Sequence, residues 1–184
     1  MPGILRKITI TFAIVVFILF IVLVITAWAL GAFANVDLVQ EEKGPYYFIS
    51  FSDHTPYRII PVSIDHLKNL AIVSDRQNPQ PAALVLNDPM ITPLQELQAF
   101  GGYIIDDSVQ TEPGQILFKI EKRPVVTATI DANQSIATFK TYPALSEWLR
   151  KNYRTWKSEP PYLEIYHSDG SVSVEMELIP VSTE

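Results

Sequence analysis

Residues 161–179, PYLEIYHSDGSVSVEMELI, decide the fold. Tyr162–Tyr166 is a short run of bulky and β-branched side chains, the composition of a strand. Ser168-Asp169-Gly170 supplies a turn, and Ser171–Ile179 alternates apolar and polar residues. That alternation reads as a last antiparallel strand with one wet face, carrying Glu175 and Glu177. Upstream, Pro143 is expected to open a helix at the position proline tolerates best, and Leu145, Trp148, Leu149 and Asn152 recur at helical spacing. Arg150, Lys151 and Arg154 fall in its last turns, where cations suit the dipole. Before it, Val125–Ile130 (VVTATI) is β-branched and alternating, again a strand.

The first half of the domain follows the same order. Tyr46–Phe51 reads as a strand, and Ser63 as the cap of a helix carrying Ile64, Leu67, Leu70 and Ala71 on one face. NPQP (78–81) is a turn, Ala82–Leu86 a buried strand ended by Asn87-Asp88-Pro89, and Pro93–Phe100 one or two helical turns. An offset of about 79 residues carries Leu84 onto Leu163. The expected architecture is therefore α+β: two tandem β-α-β-β repeats with pseudo-two-fold symmetry and an antiparallel sheet, leaving a cleft between the halves. Clefts at such interfaces are common ligand sites.

In front of this domain lies Ile8–Phe33, ITITFAIVVFILFIVLVITAWALGAF, without a charge. As a helix these residues would span about 39 Å, more than the ~30 Å of a hydrocarbon core. The reading is one transmembrane helix over 8–33, with residues 1–7 as a basic flank, 34–45 as a linker and 46–184 as the domain. The rival reading is a signal peptide cleaved after Ala34, because Ala32-Phe33-Ala34 has the small-x-small form; signal h-regions, however, usually run about 7–15 residues. Arg6 and Lys7 precede the helix, whereas Asp37, Glu41 and Glu42 follow it, so the positive-inside rule keeps the N-terminus cytoplasmic and the domain outside.

Beyond the apolar run stand twelve basic and twenty acidic residues, a net charge of −8, which disfavours nucleic-acid binding. The chain has no Cys, removing disulfides, thiolate metal sites and cysteine nucleophiles together. His54, His66 and His167 are too dispersed for a metal, and no P-loop, G-x-S-x-G or G-x-G-x-x-G occurs, so no metal or cofactor is expected. Glu164 stands out because Leu163 and Ile165 flank it: facing a cleft, its charged form needs a cation or hydrogen-bond donors, whereas facing out it is inert. Tyr166 and Trp148 fit either core or cleft, and Tyr57, beside Pro56, either lines the cleft or ends a strand. Asp88 reads as a turn residue.

Residues 45–181 resemble the GyrI-like domains, the fold also found in bacterial effector-binding domains. The resemblance is carried by PYLEIYHSDG (161–170), by Pro143-Ala144-Leu145-Ser146-Glu147-Trp148-Leu149, and by Asn87-Asp88-Pro89 with Thr92-Pro93, Glu96-Leu97 and Gly102. Thr55-Pro56-Tyr57 resembles the family's Gly-Pro-Tyr turn. Val85 and Leu86 stand where the family often has tyrosines, and Gln98 where an Arg is frequent. The layout is also similar to that of a single-pass autophagy receptor whose VVTAT strand recurs at 125–129; that likeness implies a cytosolic domain, against the charge argument. The resemblance implies a pocket with Glu164 as its central acid, lined by Tyr166, Trp148 and Tyr57, taking a small cationic or amphipathic ligand or a partner protein segment. It leaves two alternatives: a tethered interaction module whose cleft is collapsed onto Val85, Leu86 and Trp148, and a hydrolase of electrophilic small molecules using Glu164 to polarise water.

Overall fold

A strongly apolar helix ending at a glycine, and a chain of short β-branched strands beyond it, fold as two separate units, residues 1–34 and 35–184. The computed structural model describes residues 2–51, 54–68, 79–105 and 110–181.

In the first unit, helix α1 (Pro2–Ala29) contains the uncharged stretch Ile10–Ala29, whose side chains are almost all exposed. Thr26 turns its hydroxyl back onto the Val22 carbonyl at 2.8 Å, so this polar group is satisfied within the helix. Gly31, at φ +80°, ends the helix: its N–H reaches the Trp28 carbonyl and that of Ala32 the Ala27 carbonyl. This paired closure needs a left-handed residue, which glycine adopts without steric cost.

The second unit is α+β. Its strands are β1 (Asp37–Lys43), β2 (Tyr46–Phe51), β3 (Thr55–Pro56), β4 (Gln80–Val85), β5 (Gln98–Ile105), β6 (Gln115–Ile120), β7 (Arg123–Ile130), β8 (Trp156–Lys157), β9 (Tyr162–Tyr166), β10 (Val172–Glu177) and β11 (Ile179–Pro180). A 3-10 turn (Tyr57–Ile59) leads into α2 (Ile60–Lys68), and α3 spans Gln134–Lys151. The main sheet has the order β1-β7-β10-β9-β4-β5-β2-β6, with β3 on β5, and every pairing is antiparallel. At its centre β4 pairs with β9, placing Leu84 opposite Leu163 and Ala83 opposite Glu164.

Helices α2 and α3 cover one face. Ile60, Leu97, Val126, Tyr142, Leu145 and Val174 belong to the core cluster beneath them. The other face curls onto itself: Phe48, Leu84 and Leu163 are buried against Phe100 and Phe118, whose rings lie 5.0 Å apart. Gly102 makes the β2–β5 approach possible, since a Cβ there would run into the Ile49 carbonyl.

Several expectations change. Residues 37–43, read as linker, form β1, because their backbone pairs fully along β7 and the charged side chains suit an outer strand. Pro143 lies inside α3 rather than at its start. Asn133 is the cap, its side chain accepting the Ser135 N–H at 3.0 Å, and Pro143 stands ten residues further on, where it offers no N–H to the Phe139 carbonyl one turn back. Ser63 is likewise interior to α2, and Leu70 and Ala71 lie outside the described residues. Glu175 is buried rather than wet: the sheet's curl brings the Tyr46 hydroxyl from β2 onto its carboxylate at 3.0 Å, with the Arg123 guanidinium at 3.5 Å.

Candidate ligand-binding site

Glu164 sits at mid-strand in β9, facing the helices, with Ala83 on one side and Val174 on the other. These small neighbours leave room above the carboxylate for three rings. Tyr166 is two residues along the same strand and so on the same face; its hydroxyl donates to Oε2 at 2.7 Å. The Tyr57 hydroxyl donates to the same oxygen at 2.7 Å. Tyr142, from α3, donates to Oε1 at 2.8 Å. Tyr57 owes its position to Pro56 before it and to its own N–H, which bonds the Leu97 carbonyl at 2.8 Å. A further contact joins the Tyr57 hydroxyl to Thr138 Oγ1 at 3.0 Å.

Glu164 is only 1% exposed. Burial pushes its pKa above the ordinary carboxylate value, and the hydrogen bonds from Tyr57, Tyr166 and Tyr142 pull against that rise. Burial also raises all three tyrosines, and the neighbouring carboxylate adds to the effect, so they remain donors at any physiological pH.

Above the tyrosines opens a cavity of about 610 Å³. Tyr57 and Tyr142 form part of its lining, with Leu97, Met90, Leu94 and Phe139 as apolar walls and Arg58, Gln134 and Thr138 among the polar groups. Glu164 is not itself a lining residue. It lies one layer deeper and acts through hydroxyls whose rings face the cavity. The rings of Tyr57 and Tyr142 thus stand between the buried carboxyl group and an apolar space. Direct water activation by Glu164 would require displacing a tyrosine, so the geometry favours binding over general-base chemistry. Among the described residues no group of three or more His, Asp or Glu is placed to hold a metal.

The second unit can now be set beside known proteins. Its fold is similar to that of the EcmrR C-terminal domain. That crystal structure matches with a TM-score of 0.57 at 11% identity, over 80% of this chain and 99% of the other. An integron cassette protein from the mobile metagenome of Vibrio cholerae matches with a TM-score of 0.56 at 11% identity, over 79% and 99%. EcmrR in its DNA complex gives a TM-score of 0.61 at 12% identity, over 79% of this chain but 58% of that one. No protein-family model and no curated protein matches the chain. At these identities the likeness is one of fold.

Of the four residues singled out in the sequence, Glu164, Tyr166 and Tyr57 converge on one cluster. Trp148 does not join them; it packs, half-buried, against the main core. Tyr142 was missed, because opening the helix at Pro143 left it outside. A helix begun at Asn133 places Thr138, Tyr142 and Leu145 at i, i+4 and i+7, which was the available signal. The collapsed cleft is overturned by the open cavity: Val85 is core, and Trp148 fills no part of the space. Asp88 accepts the Met90 N–H at 2.8 Å, as a turn residue does.

Proposed function

We propose that this chain is a single-pass membrane-anchored, GyrI-like domain that binds a small cationic or amphipathic molecule in the cavity above Glu164. In this reading residues 8–33 cross the membrane, the N-terminus is cytoplasmic and the domain outside, and Tyr57 and Tyr142 meet the ligand with Glu164 and Tyr166 behind them. One observation carries the proposal: a fully buried carboxylate, bonded by three tyrosine hydroxyls, beneath an open apolar cavity. A carboxylate kept in such a place without a cation is costly, and a bound cation recovers part of that cost. EcmrR carries the same fold in a DNA-bound complex; with a net charge of −8 beyond the apolar run, no nucleic-acid role is proposed here.

The test uses the full chain in phosphatidylcholine nanodiscs, titrated with tetraphenylphosphonium and with tetraphenylborate, ions of matched size and opposite charge, against empty discs. Phosphonium at 100 times its dissociation constant adds about 2.7 kcal/mol to stability. Glu164→Gln weakens its binding at least tenfold, about 1.4 kcal/mol. Equal binding of the two ions, or an unchanged affinity in Glu164→Gln, refutes the proposal.

A further inference from the structure

The mouth of the cavity is unusually apolar for a protein surface. Met90, Leu94 and Phe139 line it yet are 45%, 53% and 77% exposed, and Ile91, next to Met90, is 82% exposed. Val62, also exposed, adjoins the lining residue Pro61. A contiguous apolar rim of this kind marks an interaction surface.

What covers it follows from where the chain enters the domain. Seven residues, 30–36, separate the end of α1 from β1, a reach of at most about 25 Å. The entry point is Asp37, the Cα partner of Thr129 near the end of β7. Thr129 lies five residues before Gln134, the first residue of α3 and part of the cavity wall. Val36 packs against the core cluster that contains the cavity residues Tyr57, Leu97 and Tyr142. The point of attachment is therefore within about 23 Å of the cavity wall. Arg58, exposed and also lining the cavity, suits the phosphate layer of a lipid surface.

We infer that Met90, Ile91, Leu94 and Phe139 dock onto the bilayer that α1 crosses, so that the cavity takes its amphiphile directly from the membrane. The inference rests on the reading of α1 as an anchor. Because the domain is acidic, docking is driven by apolar insertion and held by the tether, and needs no anionic lipid.

The chain contains no cysteine, so single labels are unambiguous. Leu94→Cys and Phe139→Cys in the full chain, reconstituted into phosphatidylcholine vesicles, carry a nitroxide whose collisions with oxygen and with a water-soluble nickel chelate are compared. The controls are Glu121→Cys, in the turn between β6 and β7 beside the far end of β1, and Tyr153→Cys, fourteen residues beyond Phe139. Oxygen dominates at 94 and 139 and nickel at 121 and 153, with the same result on adding 20% phosphatidylglycerol. Nickel dominating at all four positions overturns the inference. Exclusion of both reagents at 94 and 139 also overturns it, in favour of a second protein copy on the rim. Release of the chain by alkaline carbonate removes the anchor and the inference with it. The readout needs no ligand, so it is independent of the phosphonium titration.

Discussion

Replacing Tyr142 with Phe removes one oxygen from the buried cluster and little else. The ring is 1% exposed and Phe keeps its volume, so no cavity term enters. What is lost is the 2.8 Å hydrogen bond onto Glu164 Oε1. A hydrogen bond to an ionised group contributes about 1.5–3 kcal/mol, against about 1 kcal/mol for a neutral pair. The cost therefore depends on the protonation of Glu164. Its pKa lies above 4.5 in the folded protein, so between 4.5 and the folded value the native state binds the proton more tightly than the unfolded chain. Stability from this group is fully present below pH 4.5 and is lost as pH rises through the folded pKa. Tyr142 is one of the three donors that hold that pKa down. Its removal raises the pKa further, deepening the loss by about 1.4 kcal/mol per unit. Tyr142→Phe is accordingly expected to cost about 1 kcal/mol at pH 4 and more at pH 8, rising toward about 3 kcal/mol as the carboxyl ionises. Urea unfolding of the full chain in neutral micelles measures this, with Tyr153→Phe, an exposed site, as the control within 0.5 kcal/mol. A Tyr142→Phe cost that is the same at both pH values, or below 0.5 kcal/mol throughout, would sink the argument for a buried carboxylate that ionises within its tyrosine cage.

Two further perturbations test the frame that holds the site. Gly102→Ala drives a methyl into the Ile49 carbonyl of the paired strand and is expected to cost about 3 kcal/mol, lowering the melting temperature of this unit of about 150 residues by about 6–12 °C; a melt within 2 °C of wild type refutes the close β2–β5 approach. Asn133→Ala removes the cap of α3 and is expected to cost about 1 kcal/mol, seen as a fall of about 2–4 °C, whereas Ser135→Ala leaves the capping bond intact because Ser135 donates from its backbone.

The sequence by itself determined what depends on short-range pattern. Strands β2 and β9 were legible to the residue, because β-branched and aromatic side chains in a short run leave few alternatives. The uncharged run that becomes α1 and the α+β class of the domain were legible for the same reason, whereas strand β6 (Gln115–Ile120) was not read at all. Glu164, Tyr57 and Tyr166 could be named as candidates, with the first and last of them two residues apart on one strand and so on the same face. Tertiary structure alone decided the rest. Strand β1 reads as a charged linker until β7 offers it a full ladder of partners. Glu175 reads as solvated until the sheet's curl carries Tyr46 across four intervening strand spacings to meet it. Pro143 reads as a helix start because the local rule cannot see that α3 is already packed when it reaches that residue. Tyr142, Tyr57 and Glu164 stand 22 and 107 residues from one another in pairs, and no periodicity links them. They meet because antiparallel pairing of β4 with β9 sets Ala83 beside Glu164, and only a side chain that small leaves the space above a buried charge that three tyrosines then fill.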